Sequence, residues 1–91
     1  MYLSECFPTE QIFRDGEFSA LGLSNSKGPE GMLSFLEDAR FASELLDNPR
    51  IRAVICRPED GAAVAERKQG VVLSDTPRLA FFRLHNRLAE L

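Results

Sequence analysis

The sequence is poor in the residues from which small catalytic and metal sites are built. It has one histidine, His85, and two cysteines, and it contains no Cys-x-x-Cys pair and no pair of histidines. A structural zinc site needs four such ligands, and a nucleophilic triad needs a nucleophile, a base and an orienting group together. A Gly-x-Gly-x-x-Gly motif and a P-loop are also missing. We therefore expect no metal, no cofactor and no catalytic residues in this chain, and a surface position for His85.

Long apolar runs and blocks of like charge are missing as well. The longest apolar runs are four residues, whereas a membrane-spanning helix needs ~20. Lysine and arginine number 11 against 14 acidic residues, a net charge of −3, and they are interspersed. We therefore expect no membrane span and no nucleic-acid partner. The N-terminus has no basic region followed by an apolar stretch, so it does not resemble a signal peptide.

Both cysteines are expected to be reduced thiols. Cys56 lies inside an apolar strand pattern, which is typical of a buried thiol, and two cysteines cannot form a disulfide framework. A disulfide between Cys6 and Cys56 is the alternative that the sequence leaves open. Reduced thiols and the missing signal peptide together predict a cytoplasmic protein.

The remaining composition is that of one small globular domain, residues 1–91. Hydrophobic residues make up 44% and charged residues 27%, which are ordinary values for a folded domain. The second half alternates between strand and helix patterns with short connections, which is typical of βαβ units in a mostly parallel sheet. The patterns predict strands at 31–36, 51–57 and 71–73 and helices at 37–47, 58–68 and 77–91.

Local signals set the ends of these elements. Asn48-Pro49 ends the first helix, because the residue before proline avoids the helical region. Pro58 begins the second helix, and Gly70 is expected to be its C-cap. Ser74 to Thr76 followed by Pro77 is a helix start signal.

The first thirty residues predict a hairpin. Asp15-Gly16 is a favourable turn dipeptide between residues 11–14 and 17–24, and a polar loop follows at 25–31. The whole sequence therefore predicts an α/β fold: a small mixed, mostly parallel sheet of about four or five strands with three helices and an N-terminal hairpin.

The last helix has a wide apolar face. At 100° per residue one side collects Ala80, Phe81, Leu84, Leu88 and Leu91. Leu79 and Phe82 fall outside this stripe. They are either rim packing or a contact surface for something outside this chain.

A candidate site lies where the predicted strands end, because ligands bind at the carboxyl ends of strands in open parallel sheets. Phe35 ends one strand, and Phe41 follows in the first turns of the next helix. Two such rings could bracket a planar base. The alternative is that both rings belong to the core, where Phe41 and Leu45 would form an ordinary i, i+4 pair.

Four short motifs in register give the sequence a family resemblance. The stretch 31–41, Gly-Met-Leu-Ser-Phe-Leu-Glu-Asp-Ala-Arg-Phe, resembles the N-terminal non-repeat domain of the UDP-3-O-acylglucosamine N-acyltransferases, which reads like Gly-x-Ile/Leu-Ser-Phe-Leu-x-Asn-Pro-Lys-Tyr. The resemblance covers roughly residues 10–91, and the other three matching segments are 20–24, 52–56 and 71–84.

The resemblance implies a function for the two aromatic residues. In that family this domain binds the uridine end of a UDP-acylglucosamine between rings that match Phe35 and Phe41. A 3-hydroxyacyl chain is then transferred from acyl carrier protein, for lipid A synthesis, in a following β-helix of hexapeptide repeats that these 91 residues do not contain. The resemblance thus implies an excised N-terminal substrate-binding domain, a monomer by itself and part of a homotrimer when intact. His85 does not match the family's catalytic histidine.

Two departures from the family pattern concern base recognition. Phe41 replaces a tyrosine, which keeps the stacking face and loses a hydroxyl. Asp38 replaces an asparagine and, unlike an amide, only accepts hydrogen bonds. Asp38 therefore either faces the base, with altered base preference, or caps the following helix, which Asn and Asp do about equally well.

Basic residues near these strand ends are the candidates for phosphate contacts. Lys27 and Arg40 are the nearest in sequence, and Arg57 ends the next strand. Each could equally be a solvated surface residue.

Two other functions fit the same pattern. One is a non-catalytic docking module, in which Leu79, Phe82 and the last helix pack against a partner or a longer chain. The other is the uridine-binding domain of a cell-wall (Mur-type) ligase, which would precede an ATP-binding domain.

Overall fold

The protein, a computed structural model that describes residues 1–90, is a mixed α/β fold built on one five-stranded sheet. The strand order is β1-β5-β4-β3-β2. Strands β2 to β5 run parallel to one another, and β1 is antiparallel to β5. The strands are β1 (Gln11–Arg14), β2 (Ala20–Leu21), β3 (Met32–Leu36), β4 (Ile51–Cys56) and β5 (Gly70–Leu73). The helices are α1 (Leu3–Cys6), α2 (Ala42–Asp47), α3 (Gly61–Ala65) and α4 (Pro77–Ala89), with 3₁₀ turns at Ala39–Phe41 and Pro58–Asp60.

The central strands are buried on both faces, which explains their continuous apolar sequences. Alternate residues enter two separate clusters: Leu33 of β3 and Ile55 of β4 lie in one, whereas Leu36 and Val54 lie in the other. The first cluster is covered by α1 and α4, and the second by α2 and α3. Helices therefore cover both faces of the sheet.

The predicted α/β fold with a mostly parallel sheet is confirmed, and so is the apolar face of the last helix. Ala80, Phe81 and Leu84 are buried in the first cluster, and Leu88 packs against it. Leu91, the last predicted member of that face, lies outside the described residues. Leu79 and Phe82 are 47% and 38% exposed, as their position off the stripe indicates.

The predicted N-terminal hairpin is wrong. Its two strands, β1 and β2, lie at opposite edges of the sheet. The Asp15-Gly16 segment bonds instead to the N-terminal segment: the Leu3 amide donates to the Gly16 carbonyl, and the Ser4 amide and hydroxyl donate to the Asp15 carboxylate. Phe18 is fully buried in the first cluster. The chain between β1 and β2 therefore crosses the face of the sheet that α1 and α4 cover.

The predicted role of Gly70 as a helix C-cap is also wrong. This glycine is the first residue of β5. A Cβ at Gly70 would lie 2.7 Å from Leu3 Cδ1 and 3.3 Å from Gly16 Cα. The glycine is needed for this close approach of the N-terminal segment to the sheet.

The helices differ in length and number from the prediction. Both short helices begin with a 3₁₀ turn, so α2 starts later than predicted, although it ends at Asp47 as predicted. The other, α3, ends at Ala65 and not at Lys68, and α1 is a fourth helix that the sequence analysis did not predict. The predicted reduced thiols are confirmed, with Cys56 buried and Cys6 partly exposed. Within residues 1–90, none of the helices combines the length and the apolar character that crossing a bilayer requires.

Candidate functional site

An open cleft of about 580 Å³ lies beyond the carboxyl ends of β2 and β3. This is the edge of a parallel sheet where ligands usually bind, because loops and helix starts meet there. The cleft is more apolar than polar and draws its walls from the loop after β2, the end of β3, α2 and α4. Its lining residues are Leu23, Ser24, Asn25, Phe35, Glu37, Asp38, Phe41, Glu44, Arg78 and Phe82.

The two predicted aromatic residues both line this cleft. The alternation of β3 places Phe35 on the α4 side, where its ring centroid is 4.8 Å from that of Phe81 and 5.9 Å from that of Phe82. Phe35 is thus half-buried and held in position by its neighbours. Phe41, in the 3₁₀ turn before α2, is 46% exposed. The alternative that both rings belong to the core is therefore wrong for Phe41.

Glu37 connects three elements at the base of the cleft. Its Oε1 accepts from Arg57 Nη2 at 2.8 Å, and its Oε2 accepts from the backbone N–H of Arg78 at 2.9 Å. Arg57 Nη1 also donates to the Asp75 carbonyl at 3.0 Å. The carboxylate thus joins the ends of β3 and β4 to the start of α4. It also accepts the hydrogen bond of the Arg78 N–H, which is therefore not free for a ligand.

Asp38 is the N-cap of the 3₁₀ turn, which confirms the capping alternative. Its Oδ1 accepts from the backbone N–H of Arg40 at 2.9 Å, and its Oδ2 pairs with Nε and Nη2 of the same arginine at 3.0 and 2.9 Å. The backbone and side-chain hydrogen bonds from Arg40 hold the pKa of Asp38 below its usual value. Both oxygens of this carboxylate are therefore engaged, although the residue lines the cleft.

Two charged side chains of the cleft have no ionic partner among residues 1–90. The guanidinium of Arg78 lies over the Phe82 ring, with Cζ 5.7 Å from the centroid, and its side chain makes no ion pair there. The carboxylate of Glu44 accepts a hydrogen bond from Ser24 Oγ at 3.0 Å. The cleft therefore offers one cation and one anion to a ligand.

The predicted phosphate contacts do not meet in the cleft. Lys27 lines a neighbouring depression with Asn48 and Arg50. Arg40 is engaged with Asp38, and Arg57 with Glu37. Arg78 is the arginine that the sequence analysis missed, because only the folded sheet brings the start of the last helix beside the end of β3.

Phe82 and Glu44 were missed for different reasons. Phe82 carried a signal, since it falls off the apolar stripe of its helix, which predicts either rim packing or a contact surface. Glu44 carried none, because an exposed glutamate on a short helix looks like any solvated surface residue.

His85 is exposed on α4, as predicted, and its ring centroid is 6.4 Å from that of Phe82. Within the described part of the chain, no group of three or more metal-ligating side chains comes together. No protein-family model matches the sequence, and no curated protein matches it either.

Proposed function

We propose that this chain is a nucleotide-recognition domain that binds the uridine end of a nucleotide sugar in the cleft beside Phe35 and Phe41. The observation that supports this most is an open, largely apolar cleft with aromatic side chains from three elements at the carboxyl edge of a parallel sheet. Stacking on such rings is worth about 1–3 kcal/mol per base and needs only a flat face. The Phe41 ring is exposed, with the Arg40 guanidinium carbon 5.7 Å from its centroid on one face, and an exposed ring face suits this contact.

The charged side chains of the cleft are compatible with a ligand that has an uncharged base at one end and a phosphate at the other. Glu37 and Asp38 are each paired with an arginine, so they repel an incoming phosphate less than free carboxylates would. Arg78 is the cleft cation that remains for a phosphate oxygen, and a guanidinium can make two parallel hydrogen bonds to it. Lys27 and Arg40 are not assigned this contact in the proposal.

The wider role rests on the sequence resemblance. The domain would present a UDP-acylglucosamine to an N-acyltransferase centre that these 91 residues do not contain, with acyl carrier protein as the acyl donor and lipid A synthesis in the cytoplasm as the setting. The described residues would supply binding and orientation only. The acyl transfer itself would take place elsewhere in the enzyme.

Titration calorimetry with uridine 5′-monophosphate tests the binding proposal. Wild type should bind, and Phe41→Ala should lose roughly tenfold or more in affinity from the lost stacking. Leu79→Ala is the matched control, because Leu79 is an equally exposed apolar residue that does not line the cleft. No binding by wild type, or equal losses in both variants, would contradict the proposal.

A docking module is the second candidate function. Leu79 and Phe82 are both substantially exposed on α4, which suits packing against another protein surface. In that case Leu79→Ala would weaken the protein–protein contact, and the nucleotide would have no measurable affinity.

A further inference from the structure

Glu44 lies on α2, directly after the 3₁₀ turn that carries Phe41. The two residues are three positions apart along the chain, and both line the cleft. A ligand that stacks on the Phe41 ring therefore shares one cleft with the Glu44 carboxylate.

The Glu44 carboxylate is held in position but not neutralised. Oε1 accepts from Ser24 Oγ at 3.0 Å, and no hydrogen bond to Oε2 is made within residues 1–90. Ser24 is itself fixed, because its carbonyl accepts from Asn48 Nδ2 at 3.1 Å. Asp38, Glu37 and Asp47 each pair with an arginine, whereas Glu44 forms no such pair in the described chain.

The chemistry of this group selects the part of a ligand that it can bind. A carboxylate only accepts hydrogen bonds, so it repels phosphate and suits neighbouring hydroxyl donors. The 2′ and 3′ hydroxyls of a ribose are such a pair, and an acidic side chain binds the ribose 2′-hydroxyl of NAD in dinucleotide-binding α/β folds. Ser24 Oγ and the Asn25 amide line the cleft beside it and can complete the hydrogen bonds.

We propose that Glu44, positioned by Ser24, binds the ribose diol and makes the cleft selective for ribonucleotides over deoxyribonucleotides. This inference rests on the proposed function, since it assigns the sugar contact of the same nucleotide site. It divides the site into an aromatic wall for the base, a carboxylate for the ribose and Arg78 for the phosphate.

The experiment compares uridine 5′-monophosphate with 2′-deoxyuridine 5′-monophosphate by titration calorimetry. Wild type should prefer the ribonucleotide by about tenfold, the effect of one hydrogen bond to a charged group. Glu44→Gln should reduce that ratio to near one, mainly by weakening the ribonucleotide. Glu66→Gln is the matched control, because Glu66 is exposed and is not among the cleft residues.

The outcomes separate the two proposals. If wild type binds both nucleotides equally, or if Glu44→Gln keeps the wild-type ratio, the ribose assignment is overturned while the nucleotide site stands. If neither nucleotide binds to wild type, the proposed function fails, and the ribose assignment fails with it. A circular dichroism melt of Glu44→Gln that matches wild type shows that a changed ratio is not caused by unfolding.

Discussion

Ser34, in the middle of β3, has a fully buried hydroxyl with no hydrogen-bond partner among the described residues. A buried polar group without a partner costs about 1–3 kcal/mol of stability. Ser34→Ala removes the hydroxyl and keeps the small volume, so we expect the free energy of unfolding to rise by about 1 kcal/mol. Urea denaturation checks this, and a less stable variant would show that the hydroxyl has a partner.

Asp38 is engaged with Arg40 and not turned freely toward a ligand. Asn caps a helix start as well as Asp, so Asp38→Asn should keep the turn while it removes a negative charge and releases the Arg40 guanidinium. We expect affinity for uridine 5′-monophosphate to rise roughly 2–5-fold, the value of one exposed charge interaction. Titration calorimetry that finds no gain, or a loss, would contradict this.

At the scale of residues, the sequence revealed those members of the cleft that are close to one another along the chain. Phe35, Asp38 and Phe41 lie within seven positions, so a strand that ends before a helix start is enough to group them. Glu44 is only three positions from Phe41, but nothing in its local pattern distinguishes it from a solvated surface glutamate. Arg78 joins them only through tertiary structure, because α4 and α2 cover opposite faces of the sheet. Local sequence patterns carry no information on contacts between residues that are far apart along the chain.

At the scale of elements, Glu37 is the contact that holds the start of α4 at the cleft. Glu37→Ala removes the acceptor of the Arg78 N–H and the partner of Arg57. Because the pair is about one-third exposed, we expect a stability loss of only about 1 kcal/mol. Amide hydrogen exchange should be faster at Arg78 than in the control Glu66→Ala. Unchanged exchange at Arg78 would show that α4 begins independently of this contact.

Gly70 gives a second prediction at this scale, for the packing of the N-terminal segment against the sheet. Gly70→Ala places a methyl group against Leu3 and against the Gly16 backbone, and such overpacking costs about 1–3 kcal/mol. The exposed neighbour Gln69 supplies the control, since Gln69→Ala should change stability by less than about 0.5 kcal/mol. A Gly70→Ala protein as stable as its control would mean that the N-terminal segment does not pack here.

The elements that the sequence predicted correctly are those with internal periodicity. The central strands and α4 carry continuous or 3.6-residue apolar patterns, and their positions agree with the structure to within a few residues. The hairpin prediction was wrong because β1 obtains its partner from β5, about sixty residues later. A turn dipeptide cannot reveal a pairing between segments so far apart.

At the scale of the whole molecule, the buried Cys56 thiol makes stability depend on alkaline pH. Burial, followed by the nearby charges of Asp60 and Glu59, raises the pKa of Cys56 from 9.0 to about 12. The folded protein therefore keeps a proton that the unfolded chain loses, so this contribution to stability is complete below pH 9 and falls as the pH rises further.

Cys56→Ala isolates this effect. Alanine leaves a cavity whose cost does not depend on pH, so the stability advantage of wild type should shrink by about 2 kcal/mol between pH 8 and pH 10.5. Lys68, whose pKa is lowered by burial, gains stability with rising pH, but equally in both proteins. Urea denaturation under reducing conditions measures the difference, and an advantage that stays constant with pH would contradict a buried, protonated thiol.

The central claim is that a nucleotide occupies the cleft at the carboxyl ends of β2 and β3. The most direct test is NMR chemical-shift mapping during a titration with uridine 5′-monophosphate. We predict saturable shifts concentrated at Phe35, Phe41, Glu44, Arg78 and Phe82, with little change at Lys27. Shifts that are absent, or confined to residues distant from Phe35 and Phe41, would contradict the claim.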